Sequence, residues 1–438
     1  EVRTAEIDSP VMLETGSEVV FAEGDTSTPE FVGLTVSITE CEPGDTILLD
    51  DGRIEATVLR VDGEEVVAEI VSGGKLQSRK GVNLPGVDLD IELITEGDRA
   101  ELELAADKKA DFVAASFVRD AEDVYEIVDQ LDEFGGGDIP VIAKIERVGA
   151  VENLDEIISA ADGVMVARGD LGVECPLEDV PIEQKRIIKK SVDAGVPVIT
   201  ATEMLDSMIH TRRPTRAEAS DVANAVLDGT DAVMLSGETA IGDHPVRVVE
   251  TMANIVESVE ETDEYAESFE QRVPAAKDQS RTEALARSAR YLARDIGASA
   301  VVAASESGYT ARKTAKFRPQ VPILATTPND RVRRQLALVW GVIPRYCDYK
   351  ENVETILEGS VQKAIDAEAA ESGDTVVAIS GMMSNLERSQ TTNMLKVHVA
   401  AERIADGKQI VGGRVAGPLV RLDDGDLSEI PEGAIVSL

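Results

Sequence analysis

The sequence has few of the side chains that build zinc sites, disulfide frameworks or nucleophilic triads. Its 438 residues include three cysteines and three histidines. Cys41, Cys175 and Cys347 lie far apart and match no zinc-binding or CxxC spacing, so we expect free thiols in a reducing compartment. Because the histidines are scattered over different segments, the sequence favours neither a histidine-based metal site nor a Ser-His-Asp triad.

Positive charge and long apolar runs are also scarce. The chain has 43 Lys and Arg residues against 83 Asp and Glu residues, a formal net charge of −40. This acidity argues against a nucleic-acid groove or an anionic membrane surface as partner, and no apolar run approaches the roughly 20 residues of a membrane span. Because 43% of the residues are hydrophobic, a disordered acidic chain is also excluded. We expect a halophilic cytoplasm, in which molar salt shortens the Debye length to about 3 Å.

Two patterns of apolar residues follow one another up to about residue 260. Between residues 11 and 81, short strand-like runs alternate with turn signals such as Asp62-Gly63, which predicts a small all-β module. From residue 88 onward, apolar runs alternate with amphipathic helix patterns, which predicts parallel strands built from βα units. The predicted strands are 112–117, 141–146, 163–170, 198–202 and 232–236. Because eight such units close a barrel, and the sequence lacks an initiator methionine, we expect a fragment whose first three units precede Glu1.

A second α/β pattern follows a charged, helix-prone stretch around residues 256–279. Its predicted strands are 299–304, 322–326 and 375–380, and its predicted helices include 283–296 and 352–371. From residue 408 to residue 438 the chain becomes glycine-rich and strand-like. This tail predicts the start of a further module or, as the alternative, a simple β-extension.

Three charged residues at the ends of neighbouring predicted strands indicate a metal site with a lysine beside it. Lys144 and Glu146 are two residues apart, and side chains at this spacing in a strand face the same way. Asp170 follows the next apolar run. Mg²⁺ prefers octahedral oxygen coordination and usually takes one or two protein carboxylates, so this pair suits it. A cation beside such a metal is the arrangement that phosphoryl or enolate chemistry uses.

Several strings, in order and spacing, resemble the pyruvate kinase family. They are GGKLQSRKGVNLPG at 73–86, ASFVR at 115–119, AKIE at 143–146, MVARGDLG at 165–172, ATEML at 201–205, RPTRAEASDVANAV at 213–226 and MLSGETA at 234–240. The resemblance runs from residue 1 to about residue 401. It implies transfer of the phosphoryl group of phosphoenolpyruvate to ADP, which gives pyruvate and ATP.

The resemblance implies an α/β fold with a (β/α)₈ barrel whose N-terminal strands are missing from this sequence. A small β-barrel lid domain is inserted in that barrel, and a C-terminal α/β domain binds effectors. The expected domains are a lid at 1–85, barrel strands four to eight at 86–270, the effector domain at 271–407 and the start of a phosphohistidine-like module at 408–438. The missing units would supply a substrate-binding Arg and the ligands of a monovalent cation, so we expect this chain to hold about half of the site.

The resemblance also assigns roles to individual residues. Glu146 and Asp170 would hold Mg²⁺ or Mn²⁺, and Lys144 would stabilise the phosphoryl group in flight and the enolate oxygen. The backbone N–H groups of Gly169 and Asp170 would bind the substrate carboxylate, since anions favour helix N-termini. Thr202 would hydrogen-bond that carboxylate and help to position the proton that is delivered to the enolate.

Two basic residues of the lid resemble those that bind the nucleotide phosphates of ADP and ATP, namely Arg3 and Lys80. In the family, an acidic residue two positions before the nucleotide-binding Arg accompanies dependence on K⁺, and Glu1 stands at that position here. The resemblance further implies a homotetramer in the cytoplasm.

The segment before a predicted helix at 311–317 resembles the effector-phosphate loop of the family. Ser305, Ser307, Gly308 and Thr310 would form an anion nest there. Because Glu306 would repel a second phosphate, a monophosphate such as AMP or ribose 5-phosphate suits the loop better than a bisphosphate. The alternative is a plain helix cap that binds no ligand.

Two other functions stay open on the sequence alone. One is a different enolate-forming (β/α)₈ lyase that holds Mg²⁺ with Glu and Asp, although such an enzyme would lack the lid strings. The other is a catalytically inactive regulatory relative, which the intact Lys144, Glu146, Asp170 and Thr202 argue against.

Overall fold

The computed structural model describes residues 2–50, 52–87, 89, 93–271, 280–349, 353–380, 392–401, 419–421 and 435–437. Residues 1–400 form one compact unit and residues 401–438 a second, smaller one. Among the described residues, no helix is both long enough and apolar enough to cross a membrane.

The N-terminal part of the large unit is an all-β module, as the sequence predicts. Its strands are β1 (Val2–Arg3), β2 (Val11–Leu13), β3 (Glu18–Glu23), β4 (Ser27–Thr28), β5 (Phe31–Leu34), β6 (Thr46–Leu49), β7 (Ile54–Asp62), β8 (Glu65–Ser72), β9 (Gly74–Leu76) and β10 (Gly81–Asn83). Eight of them form a sheet in the order β1-β10-β6-β7-β8-β3-β5-β4, and β2 pairs with β9. The predicted turn at Asp62-Gly63 joins β7 to β8, and Gly63 has the φ of +71° that glycine adopts without strain. Ile54, Ala56 and Val58 alternate into the core of the module.

The second part alternates strands and helices. Its elements are α1 (Glu96–Lys108), β11 (Val113–Ala115), α2 (Ala121–Glu133), β12 (Val141–Ile145), α3 (Val148–Glu152), α4 (Leu154–Ala160), β13 (Gly163–Ala167), α5 (Arg168–Glu174), α6 (Val180–Ala194), β14 (Val198–Ala201), a 3₁₀ helix (Asp206–Ile209), α7 (Arg216–Asp228), β15 (Ala232–Val233), α8 (Gly237–Ala240), α9 (Pro245–Glu260) and α10 (Asp263–Gln271).

The five strands β11 to β15 are parallel and lie side by side in chain order, so the predicted βα sheet is confirmed. All residues of β13 and β14 are buried, because helices cover a parallel sheet of this kind and leave no solvated face. The predicted strand 163–170 is wrong at its end. The chain leaves the sheet after Ala167, and Arg168 begins α5, so Asp170 lies in the first turn of a helix.

A second α/β sheet completes the large unit. Its elements are α11 (Arg281–Asp295), β16 (Ala300–Ala304), α12 (Tyr309–Ala315), β17 (Ile323–Thr327), α13 (Asp330–Gln335), a 3₁₀ helix (Leu336–Leu338), β18 (Val342–Tyr346), α14 (Val353–Asp366), β19 (Thr375–Ser380) and β20 (Met394–Val399). The strand order is β18-β17-β16-β19-β20, with β20 antiparallel. The sequence predicts β16, β17 and β19 but misses the two edge strands, which are only half-buried and carry polar residues such as Arg345 and Lys396.

A buried ion pair joins this second sheet to the first. Nη1 of Arg318 lies 3.0 Å from Oδ1 of Asp231, which directly precedes β15. The other oxygen of Asp231 accepts a hydrogen bond from the Val198 amide at the start of β14. The C-terminal α/β region therefore contacts the barrel strands at the ends opposite to those that carry the predicted site.

The smaller unit contains two described strands, β21 (Leu419–Arg421) and β22 (Ile435–Ser437), which pair in parallel. Most of the predicted further module lies outside the described residues. The domain boundaries expected from the sequence stay predictions.

Candidate active site

The ion pair at the end of β12 is the centre of the candidate site. Nζ of Lys144 lies 2.5 Å from Oε1 of Glu146, and the Glu146 side chain is 1% exposed. Lys144 also donates a hydrogen bond of 2.7 Å to the hydroxyl of Ser116, the residue that directly follows β11. The predicted convergence of Lys144 and Glu146 is therefore what the structure shows, and Ser116 joins them from the neighbouring strand.

The Glu146 carboxylate has two different oxygens. Oε2 accepts a hydrogen bond of 2.6 Å from the amide of Phe117, a residue held at a φ of +57°. Oε1 is buried and forms the ion pair with the Lys144 ammonium. Burial raises the pKa of Glu146, Lys144 and the Phe117 amide lower it, and the charge of nearby Asp170 raises it further. Two carboxylates thus lie within electrostatic reach of each other, with one oxygen able to accept a further ligand.

Gly169 and Asp170 lie in the first turn of α5, directly after β13. The Gly169 amide donates a hydrogen bond of 2.8 Å to the hydroxyl of Thr202. The family resemblance assigns both the Gly169 amide and the Thr202 hydroxyl to the substrate carboxylate. In this structure the two groups are bonded to each other. The structure brings Gly169 and Thr202 together and places Asp170 beside them.

Thr202 follows β14 in a strained conformation. Its φ is +64° and that of Glu203 is +53°, values that a β-branched residue such as threonine rarely adopts. The hydroxyl of Thr202 donates to the carbonyl of Ala201 at 2.7 Å. The guanidinium of Arg168 donates to the Thr202 carbonyl at 2.8 Å and to the Ala201 carbonyl at 3.2 Å. Contacts from the neighbouring strand end therefore hold this turn.

Sequence reasoning missed Ser116 and Arg168 as members of the site. Both stand inside strings that identify the family resemblance, ASFVR and MVARGDLG, next to residues with predicted roles. Arg168 also pairs with Asp221 of α7 at 2.7 Å, which fixes its direction toward the Thr202 turn. Ser116 and Arg168 directly follow strands β11 and β13, and functional side chains converge at the carboxyl ends of parallel strands. That position is the sequence signal that could have identified them.

Comparison with known proteins assigns this arrangement to a family. The family model described as "Pyruvate kinase, barrel domain" matches residues 1–249, and that described as "Pyruvate kinase, alpha/beta domain" matches residues 283–398. The chain is 43% identical to a pyruvate kinase of Bacillus licheniformis over 416 residues, which is 94% of this chain and 70% of the relative. It is 43% identical to that of Clostridium perfringens over 390 residues, covering 88% of this chain and 82% of the relative. The chain belongs to the pyruvate kinase family.

The activity of the chain is transfer of the phosphoryl group from phosphoenolpyruvate to ADP, the last step of glycolysis. These matches confirm the predicted function and fold class. One matched region is a barrel domain and the other an α/β domain, as the resemblance implies. The similar proteins named above are bacterial, and salt adaptation and an archaeal character stay predictions.

The N-terminal all-β module brings Arg3 and Lys80 onto adjacent segments. Arg3 on β1 pairs with Gly81 on β10, and the amide of Thr4 donates to the carbonyl of Lys80 at 2.8 Å. Nζ of Lys80 lies 2.7 Å from Oδ1 of Asp50, a residue that is 6% exposed. The two predicted nucleotide-binding residues are therefore neighbours, and Lys80 is held by a buried carboxylate that sequence reasoning missed.

The predicted effector loop lies between β16 and α12. The Thr310 amide donates to the Ser305 hydroxyl at 3.3 Å, and the Thr310 hydroxyl shares a hydrogen bond of 2.8 Å with Thr392. Gly308 has a φ of +74°, and a Cβ there would come within 3.0 Å of Leu336 and 3.1 Å of Arg312. Ser307 is exposed, whereas Ser305, Gly308 and Thr310 are buried.

Within the part of the chain that the structure describes, no group of three or more His, Cys, Asp or Glu residues has metal-binding geometry. Glu1, the residue predicted to accompany K⁺ dependence, lies outside the described residues.

Proposed function

We propose that Lys144, Glu146, Asp170 and Thr202 carry out the pyruvate kinase reaction in this chain. The observation that supports this most strongly is the Lys144–Glu146 ion pair, in which the Glu146 side chain is 1% exposed and its Oε1 lies 2.5 Å from the Lys144 ammonium. Burying a charged pair is costly, and such pairs concentrate at functional sites.

The residues fit a divalent metal. Glu146, directly after β12, and Asp170, in the first turn of α5, offer hard carboxylate oxygens, which suits Mg²⁺ or Mn²⁺. When bound there, the metal would neutralise negative charge on the substrate. The Phe117 amide fixes Oε2 of Glu146 and so directs Oε1 toward the site.

Lys144 supplies a positive charge that is already in position. Its ammonium is held between Ser116 and Glu146, at 2.7 and 2.5 Å, so it needs no reorganisation when the substrate binds. Phosphoryl transfer depends mainly on positioning and electrostatic stabilisation. In this proposal Lys144 stabilises the phosphoryl group as it moves to ADP and then the enolate oxygen that is left behind.

The substrate carboxylate binds at the start of α5 in this proposal. The Gly169 amide would exchange the Thr202 hydroxyl, its present partner at 2.8 Å, for a carboxylate oxygen. The Asp170 amide would bind the second oxygen. The hydroxyl of Thr202 then donates to the same carboxylate and helps to position the proton that converts the enolate to pyruvate.

Arg3 and Lys80 would bind the phosphates of ADP and ATP. Their support is the pairing of β1 with β10, which places two basic residues together in a chain of net charge −40. The Asp50 carboxylate 2.7 Å from Lys80 would keep its ammonium aimed while the nucleotide is absent.

K⁺ would offset part of the negative charge that phosphoenolpyruvate, ADP, Glu1, Glu146 and Asp170 bring to one pocket. We expect the enzyme to need K⁺. The test is the steady-state rate of the full-length protein with KCl replaced by tetramethylammonium chloride at equal ionic strength, which keeps charge screening constant. An unchanged rate would contradict this role.

We also propose a monophosphate effector such as AMP or ribose 5-phosphate at the loop of Ser305, Ser307, Gly308 and Thr310. Because the hydroxyl of Thr310 already bonds to Thr392, the exposed Ser307 would be the first to contact a phosphate. Activation by either compound that Ser307→Ala removes would support the loop, and activation that this variant keeps would contradict it.

A homotetramer in the cytoplasm is the assembly we propose. Its support is the family resemblance together with exposed apolar side chains on the barrel, of which Leu177 and Ile241 are 74% and 77% exposed. Salt adaptation would follow from the net charge of −40, and melting temperatures in about 0.1 M and about 3 M KCl test it.

Magnesium titration of activity tests the central assignment. Glu146→Gln and Asp170→Asn should each raise the Mg²⁺ concentration needed for half-maximal activity by about 10-fold to 100-fold, with partial recovery at high Mg²⁺. Glu152→Gln, on the exposed side of α3, is the matched control and should titrate like the wild type. A titration curve that neither site variant changes would rule the pair out.

A further inference from the structure

The turn that carries Thr202 depends on its surroundings for its shape. Thr202 and Glu203 are consecutive residues at φ +64° and +53°, and neither is a glycine. Such backbone persists only where neighbouring contacts hold it. Met204 and Leu205, which complete the turn, are fully buried. The position of the Thr202 hydroxyl is therefore set by whatever fixes the ends of this turn.

A buried carboxylate fixes the far end of the turn. Oε1 of Glu238 accepts a hydrogen bond of 3.1 Å from the amide of Leu205. Oε2 accepts one of 2.7 Å from the amide of Ser236. Glu238 lies in the short helix α8 and is 2% exposed. One carboxylate thus joins the loop after β14 to the loop after β15 through two backbone amides.

Arg168 holds the opposite end of the same turn. Its guanidinium donates to the carbonyls of Ala201 and Thr202, whereas Glu238 accepts from the amide of Leu205. The Arg168 guanidinium therefore holds carbonyl groups at the start of the five-residue segment 201–205. The Glu238 carboxylate holds an amide at its end. Hydrogen bonds to charged groups are stronger than those between neutral ones, so both contacts resist movement of Thr202.

We propose that Glu238 is a positioning residue for the protonation of the enolate. It contacts no substrate in this account; it keeps Thr202 in the strained conformation that presents its hydroxyl to the site. This inference rests on the role proposed for Thr202. Glutamine cannot replace Glu238, because its NH₂ group would face one of the two amides as a second donor and leave that buried amide without an acceptor.

The test compares protonation with nucleotide binding in the full-length protein. In Glu238→Gln we expect kcat to fall at least about tenfold, since a displaced catalytic group loses rate steeply. Exchange of the pyruvate methyl protons in D₂O, followed by ¹H NMR, reports the same proton transfer in reverse and should fall in parallel. The KM for ADP should stay within about twofold, because Arg3 and Lys80 are untouched.

Glu218→Gln is the matched control. The Glu218 carboxylate also accepts two backbone amides, those of Ser207 at 2.7 Å and Thr215 at 2.6 Å, but it holds the 3₁₀ helix after the turn. We expect a comparable fall in melting temperature and a kcat within about twofold of the wild type. Equal losses of kcat in Glu218→Gln and Glu238→Gln would show a general structural effect and overturn the proposal.

A double-mutant cycle separates this proposal from the role of Thr202 itself. Thr202→Val should lower kcat, and adding Glu238→Gln should change it by no more than about twofold, because Glu238 acts through Thr202. Additive losses would overturn the inference. A Thr202→Val enzyme with wild-type kcat would contradict the proposed role of Thr202 instead. If Glu238→Gln fails to fold, Glu238→Asp keeps the charge but reaches one amide only, and an undiminished exchange rate in that variant would refute the proposal.

Discussion

The two α/β sheets of this chain share an architecture but differ in the polar groups that their strands carry. At the carboxyl ends of β11 and β12, Ser116, Lys144 and Glu146 converge around a largely buried pair of opposite charges. In the C-terminal sheet, the hydroxyl of Thr326 on β17 bonds to Ser360 at 2.6 Å.

The hydroxyl of Thr327 likewise bonds to the carbonyl of Glu306 at 3.0 Å. Ser380, at the end of β19, is an exception among the hydroxyls of this sheet. Its hydroxyl has no partner within the described part of the chain, and residue 381 lies outside that part. Neutral hydroxyls that bond to neighbouring groups stabilise a sheet, whereas a charged pair held at the strand ends can bind a ligand.

The largest effect expected from this comparison is that of Lys144→Met. Removing one preorganised charge typically costs 10²- to 10³-fold in turnover. We expect a loss of about this size in kcat of the full-length protein, with the fold kept because the Lys144 side chain leaves no core cavity, but with a lower melting temperature because the buried Glu146 carboxylate loses its counter-charge. More than about a tenth of the wild-type kcat in this variant would show that the barrel site does not work through Lys144.

Thr326→Val is the matching change in the C-terminal sheet. It preserves volume and removes one buried hydrogen bond, while Ser360 keeps its bond of 2.7 Å to the carbonyl of Ile356. We expect the free energy of unfolding to fall by about 1 kcal/mol and kcat to stay within about twofold. Urea unfolding and steady-state kinetics measure the two. A large loss of kcat with unchanged stability would break the distinction between the sheets.

The convergence of Lys144 and Glu146 was predictable from the sequence, whereas the contacts that support the proposed site were not. Lys144 lies in β12 and Glu146 directly follows that strand, so the period of two residues alone predicts that they face the same way. Arg168 and Glu238 reach the Thr202 turn from other strand ends, and nothing in the local sequence shows which backbone groups they meet. The long, uniformly apolar strands were likewise predictable, but β18 and β20 were missed because an edge strand needs no continuous apolar run.

Acid stability gives an effect that is confined to the C-terminal region. Burial alone would raise the pKa of Glu283, but hydrogen bonds from Lys316 and from Ser280 hold the pKa at about 2. Because this pKa lies below the ordinary value of 4.5, the stabilisation is complete above that value and is lost as the pH falls toward about 2. Glu283→Gln should therefore lower the melting temperature at pH 7 and match the wild type near pH 2. An equal difference at both pH values would contradict this linkage.

The central claim is that Glu146 and Asp170 hold the metal of a pyruvate kinase site built on the ends of the barrel strands. Anomalous X-ray diffraction from crystals of the full-length protein soaked with Mn²⁺ tests this directly. The account predicts an anomalous peak about 2 Å from a carboxylate oxygen of Glu146 and from one of Asp170, with the Lys144 ammonium beside it. A peak bound to other carboxylates, with none at this pair, would contradict it.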